Sequence, residues 1–211
     1  MNRILSVVLM VAITLATIPM SGCSSTNFVA ALNAIVPAAT AVIEVIAVYE
    51  GKPADPNAAQ KIAQDVTAAE QFYADYQAAL ASLDAGQVAS TKQKLEAGLQ
   101  VLVSDIGLIE QVAQIKDPAT QAKVSALVLL IQTGISIAEA VAGVQPVPVA
   151  AKLVRAGINP NSVKDVNSLV KAFNQVLVAK TGNSKVDAYT SKHQVHIHGK
   201  LARVASFGKL A

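Results

Sequence analysis

The chain has one cysteine, no tryptophan and three histidines in 211 residues. A lone cysteine excludes an internal disulfide. Aromatic residues make up only 4% of the chain and charged residues 15%, while 53% is hydrophobic. The apolar content is therefore mostly Ala, Val, Leu and Ile, a composition suited to closely packed helices.

These absences exclude chemistry. No histidine precedes His193. A di-iron helical bundle needs Glu-x-x-His on two of its helices, so that site is excluded. A serine or cysteine nucleophile is left without its usual base. The chain has no G-x-S-x-G, no Gly-rich phosphate loop and no H-E-x-x-H, so no constellation points to an enzyme and none calls for a cofactor. Residues 23–180 carry 11 Lys and Arg against 13 Asp and Glu, whereas 181–211 carry five against one. The body has no basic stripe to track phosphates, and nucleic acid is not an expected partner.

The chain opens with a leader. Arg3 supplies a short positive region, Ile4 to Ile18 is apolar apart from Ser6, Thr14 and Thr17, and Pro19 breaks the run. This is the layout of a secretory signal. It is shorter than the roughly 20 apolar residues a membrane span needs. Met20-Ser21-Gly22-Cys23 follows. That run resembles the lipobox of bacterial lipoproteins, with Met20 where the family usually has Leu. The resemblance implies that residues 1–22 are removed and that the Cys23 sulfur carries a diacylglyceryl group, with the freed amine often acylated as well. One acyl chain holds only marginally at about 0.8 kcal/mol per buried methylene, and two or three make attachment stable. Ser24 resembles the class sorted to the outer membrane in Gram-negative cells. The expected location is the cell envelope, facing the periplasm or the exterior.

The remaining 189 residues are enough for one domain with a sizeable core. Segment one, about Phe28 to Glu50, is apolar nearly all round and contains Pro37, which predicts a kink or a fresh start. Segment two opens at Asp55-Pro56, a helix-start signal. Its seam Ile62, Val66, Ala69, Tyr73, Tyr76, Leu80 and Leu83 steps by fours and threes, the heptad pattern, and Asp84-Ala85-Gly86 reads as a turn. Segment three carries Leu95, Leu99, Leu102, Ile106, Ile109 and Ala113, with a second apolar line of Val101, Val103, Leu108 and Val112 that predicts two neighbours. Segment four opens at Asp117-Pro118, has the seam Val124, Val128, Ile131, Ile135, Ala138 and Ala142, and ends at Gly143. A small helix is expected over Val149–Ala156. A shorter fifth helix starts at Ser162 with Asp165 as its capping-box partner and closes at Gly182-Asn183.

Short links and heptad spacing predict an all-α, up-down bundle of four long helices plus the fifth, over residues 23–183. Residues 184–211 differ: they read as a basic, histidine-containing tail or a small hairpin. In the hairpin, Val195 and Ile197 face Ala202 and Val204 across a turn at Gly199-Lys200.

Few residues stand out as sites. His193, His196 and His198 form H-x-x-H-x-H, a weak candidate for zinc, copper or nickel, with no cysteine or carboxylate close in sequence to complete it. Tyr73 and Tyr76, with Phe72, can line a small ligand pocket or belong to the core. Glu44, Glu110 and Glu139 are expected on the polar edges of their helices. Segments one and four are long and apolar, but Glu44 and Glu139 interrupt them, and a carboxylate inside a bilayer is costly. Burial inside a bundle accounts for both runs.

The sequence thus points to a lipid-anchored, non-catalytic structural or interaction module. Its expected contacts are the membrane through Cys23 and an envelope protein or anionic envelope polymer; its oligomeric state is open. The alternatives are a carrier of a small apolar ligand and a membrane-inserting or pore-forming protein.

Overall fold

The computed structural model of the chain describes residues 23–146, 148–198 and 201–205, with side chains placed from 27 to 196 apart from 112 and 147. Residues 1–22, including Met20-Ser21-Gly22, lie outside the described residues, as do the Cys23 and His198 side chains and the expected turn residues Gly199 and Lys200.

Four long helices pack together: α1 (Cys23–Glu50), α2 (Pro56–Ser82), α3 (Ala85–Val112) and α4 (Pro118–Ala142). Local signals set their starts. The Asp55 carboxylate accepts from Asn57 N, with Pro56 in the first helical position. The Asp117 carboxylate accepts from Thr120 N at 2.8 Å, again followed by a proline. Such caps satisfy amides that have no partner inside the helix. Gly51 and Gly143 end α1 and α4 with positive φ, and Lys52 N and Val144 N reach back to the carbonyls of Ala47 and Glu139, closing each last turn.

Packing overrides local expectation at several places. α1 runs unbroken through the buried Pro37, with no restart. The link between α2 and α3 is only Leu83 and Asp84. Asp84 caps α3 through Gly86 N and Gln87 N, so Ala85 and Gly86 are helical rather than turn residues. Leu83 leaves the seam and is 89% exposed.

The seams form the core. Ile62, Val66, Ala69, Tyr73 and Tyr76 of α2 meet Leu95, Leu99, Leu102, Ile106 and Ile109 of α3, and α4 buries Val124, Val128, Ile131, Ile135, Ala138 and Ala142. α1 packs chiefly on α4 and α2 chiefly on α3, and the two pairs join through α1–α2 and α3–α4 contacts. α2 and α3 approach closely at Gly98, where a Cβ would meet the Phe72 ring at 2.8 Å. α3 touches two neighbours, α2 and α4, as its second apolar line predicts; Val103 of that line packs against the core, while Val101 and Leu108 are exposed.

The rest of the chain folds over the α1–α4 pair. The small helix α5 (Ala150–Arg155) is followed by a 3-10 turn (Pro160–Ser162) and α6 (Val166–Val178). The capping box sits one position set later than expected: Asp165 is the cap and Ser168 its reciprocal partner, while Ser162 closes the 3-10 turn on Asn159. α6 buries Leu169, Phe173 and Leu177. The segment expected as a tail begins with α7 (Ser184–Thr190), capped by Asn183. It continues into β1 (Gln194–His198), which pairs antiparallel with β2 (Leu201–Ala205). Val195 faces Val204 and Ile197 faces Ala202, the register that the sequence predicts for a hairpin. Val186, Thr190 and Val195 are all buried, so packed structure does not stop at residue 183, and residues 184–195 are part of the folded body.

Candidate functional site

Three polar clasps hold this C-terminal segment. The first is Lys123, on the inward face of α4 and 5% exposed. Its ammonium donates to the Leu177 carbonyl at 3.0 Å and to Thr190 Oγ1 at 3.3 Å, and lies 4.0 Å from Asp187 Oδ1. Burial pulls its pKa below the ordinary lysine value, against the opposing pull of Asp187. Asp187 in turn accepts from Thr181 N, Thr181 Oγ1 and Gly182 N. The amide bond from Thr181 leads the effects that hold its pKa below the ordinary aspartate value.

The second clasp joins α7 to α1, where the Tyr189 hydroxyl donates to the Glu44 carboxylate. Burial and the neighbouring carboxylate push the tyrosine pKa well above its ordinary value. His193 stacks on Tyr189 with ring centroids 3.9 Å apart and an interplanar angle of 15°. The third clasp is Asn174 of α6. Its side-chain amide donates to the Val195 carbonyl and accepts from Val195 N, both at 2.8 Å. That pairing imitates a neighbouring strand and blunts the edge of β1.

These contacts bear on the histidines singled out from the sequence. His193 Nδ1 lies 2.6 Å from the Tyr189 carbonyl, so that nitrogen is occupied as a donor, and His193 precedes the strand. His196 is part-buried and already engaged. β1 places positions 196 and 198 on one face, with the His198 side chain outside the described residues. Among the described residues no group of three or more His, Cys, Asp or Glu is placed to hold a metal ion.

Tyr73 is buried with its ring stacked on Phe28 at 3.9 Å, and Tyr76 is buried beside it in the core. An apolar slot of about 10 Å³ lies elsewhere, between α1, α4, α6 and Val195. A broad open groove of about 490 Å³ runs over Lys123 beside Ala122, Ala126, Gly157, Gln175 and Lys180. The lysine ammonium at its floor is turned to the clasp.

Of the three carboxylates, Glu139 departs from the polar-edge expectation. Glu139 is 2% exposed and engaged. Glu44 and Glu110 are half-buried, Glu44 on Tyr189 and Glu110 accepting from Ser125 Oγ. A fourth cluster, Lys61 with Asp65 and Asp105, links α2 to α3 at the surface.

Sequence reasoning missed Lys123, Tyr189 and Asn174. Lys123 had a legible signal: Thr120, Lys123, Leu127 and Leu130 fall on the inward face at helical spacing, and a lysine there must find partners. Tyr189 and Asn174 carried none, because their partners are distant in sequence.

The helices over 27–50 and 118–142 are each long and apolar enough to cross a membrane, and 61% of each apolar window is buried within the protein. Comparison of the chain with protein-family models, with curated proteins and with solved structures finds no match to any of them.

Proposed function

We propose that this chain is a lipid-anchored envelope protein, held by acyl chains on Cys23, whose helical body is a non-catalytic structural or interaction module. The observation that carries the reading is the placement of Cys23. The lipobox-like run ends at Cys23, which is already helical, and five residues later Phe28 is in the core. Cleavage before Cys23 therefore leaves the bundle whole and puts the lipid directly on it.

We read the four long helices as up-down. The two-residue link at Leu83-Asp84 supports this. So do contacts that join opposite ends of neighbouring helices. Tyr49, at the end of α1, accepts from Lys116 N and Asp117 N at the start of α4. Lys61, early in α2, pairs with Asp105, late in α3.

The side chains with unusual environments serve to fasten one segment to another, which favours scaffold over catalyst. Lys185 and Lys192 are exposed on the C-terminal segment. That face suits an acidic envelope protein or an anionic envelope polymer. The membrane-inserting alternative has the two apolar helices in its favour, but their inward faces are already matched to each other. The carrier alternative has only the small apolar slot, because the larger groove is open to solvent.

The test is expression of the full chain and of Cys23→Ala in bacteria fed a labelled fatty acid. The expected result is label on the parent protein in the membrane fraction, and an unlabelled, unprocessed precursor for the variant. Equal membrane attachment of both without label contradicts the reading.

A further inference from the structure

One end of the bundle is nearly free of charge. On α1 no Asp, Glu, Lys or Arg occurs from Cys23 to Ile43. None occurs on α2 from Tyr76 to Leu83, on α3 from Ala85 to Thr91, or in the stretch from Ala140 to Ala151 that ends α4 and follows it. Asp84 is the one charged residue between these stretches, and its carboxylate is committed to the cap of α3. The opposite end gathers Glu50, Lys52, Asp55, Lys116 and Asp117, with Lys61, Asp65 and Asp105 one or two turns in.

Leu83 lies at the charge-poor end. It is the most exposed of the large hydrophobic side chains described, at 89%. Its backbone is left-handed, with φ 58° and ψ 18°, and among the described residues no other non-glycine residue has positive φ. This position after a helix is usually glycine or asparagine. A leucine here both strains the chain and shows its side chain to water, and no described residue covers it.

The anchor gives the compensation. Phe28 and Tyr73 stack, which fixes the relative level of α1 and α2. At 1.5 Å per residue, Cys23 lies about 7 Å beyond Phe28 along α1, and Leu83 about 15 Å beyond Tyr73 along α2. With the two helices antiparallel, the Leu83 turn reaches about 7 Å past the residue that carries the lipid. No linker separates Cys23 from the helix, so the body has no room to stand off. Gln145 and Pro146, exposed and uncharged after α4, lie at the same end.

We propose that this charge-poor end rests on the bilayer and that Leu83 enters the boundary between headgroups and acyl chains. The inference rests on the lipid anchor and the up-down arrangement, and it names the face they bring to the membrane. Because the four stretches named carry no Lys or Arg, their contact is with the apolar boundary of the bilayer rather than with anionic headgroups.

The test uses the lipidated full chain. Its only thiol is blocked when Cys23 carries lipid, so Leu83→Cys creates a unique labelling site. The probe is an environment-sensitive fluorophore at 83 in phosphatidylcholine vesicles holding a lipid-borne quencher near the headgroups. Leu108→Cys at mid-bundle and Lys52→Cys at the far end are the controls. All three positions are exposed, and circular dichroism verifies the fold of each. The expected result is loss of most emission at 83 and little loss at 108 or 52. Equal quenching at the three positions, or quenching at 83 only when anionic lipid is added, overturns the proposal. Thiol titration of the unmutated protein separates the two ideas. A free Cys23 thiol refutes the anchor and the docked face with it, whereas a blocked thiol with no quenching at 83 refutes the docked face alone.

Discussion

The Tyr189 hydroxyl donates to the Glu44 carboxylate across 145 residues of chain. This bond joins α1 to α7, and with Lys123 and Asn174 it makes the C-terminal segment part of the fold. Tyr189→Phe keeps the ring and its stacking on His193 but leaves a half-buried carboxylate without its donor. The expected cost is about 1–3 kcal/mol, read as a lower midpoint in urea unfolding. The tyrosine also sets an alkaline limit. Its folded pKa is raised, so the folded state holds the proton longer than the unfolded chain. Its contribution is full below the ordinary tyrosine value of about 10 and falls as pH rises beyond it. Tyr189→Phe should flatten that alkaline fall.

Lys123→Met replaces the buried ammonium by a side chain of similar length with no donors. The Leu177 carbonyl and the Thr190 hydroxyl then lose their partner, at an expected cost of about 1–3 kcal/mol. Hydrogen exchange should quicken across 184–195 and stay slow at Leu99, Leu102 and Ile106. Equal acceleration everywhere would show that the clasp and the core unfold as one unit.

Acid acts on the same clasp with the opposite sign. Asp187 has a lowered folded pKa, chiefly through the amide of Thr181. Asp117 and Asp165 are also lowered, first by their bonds from Thr120 and Ser168. For each, the stabilisation is present above the ordinary aspartate value of about 3.9 and is lost as pH falls through the folded value. Asp187→Ala should therefore lower the melting temperature at pH 7 and narrow the gap between melts at pH 7 and pH 2.

Leu83→Gly should make the free protein more stable. Glycine adopts the left-handed backbone without the penalty of about 1–2 kcal/mol that a leucine meets. It gives back about 0.4–1 kcal/mol through the looser unfolded chain. A net gain of about 0.5–1 kcal/mol is expected in thermal or urea unfolding. Unchanged or reduced stability would mean that Leu83 is not strained in solution.

Helix boundaries were legible where the signal is local. Asp55-Pro56, Asp117-Pro118 and Gly143 act within a turn of themselves, and each works as read. The seams were legible because one face must be buried for the chain to fold, and the hairpin register followed from alternation around Val195 and Ile197. The misreadings share a cause. Extending the heptad to Leu83 ignored the left-handed cap that ends α2 one residue sooner. Glu139 is buried, not marginal, because α4 is covered on nearly all sides. The fastening of the C-terminal segment was not legible because the groups that hold it, Glu44, Lys123 and Asn174, belong to helices far back in the chain.

The most direct measurement is the intact mass of the protein extracted from membranes with detergent, together with the mass of its N-terminal peptide. A chain of 189 residues beginning at Cys23 and carrying a diacylglyceryl thioether is the expected species. A chain cut at any other bond, or one that begins at Cys23 with its thiol free, contradicts the account.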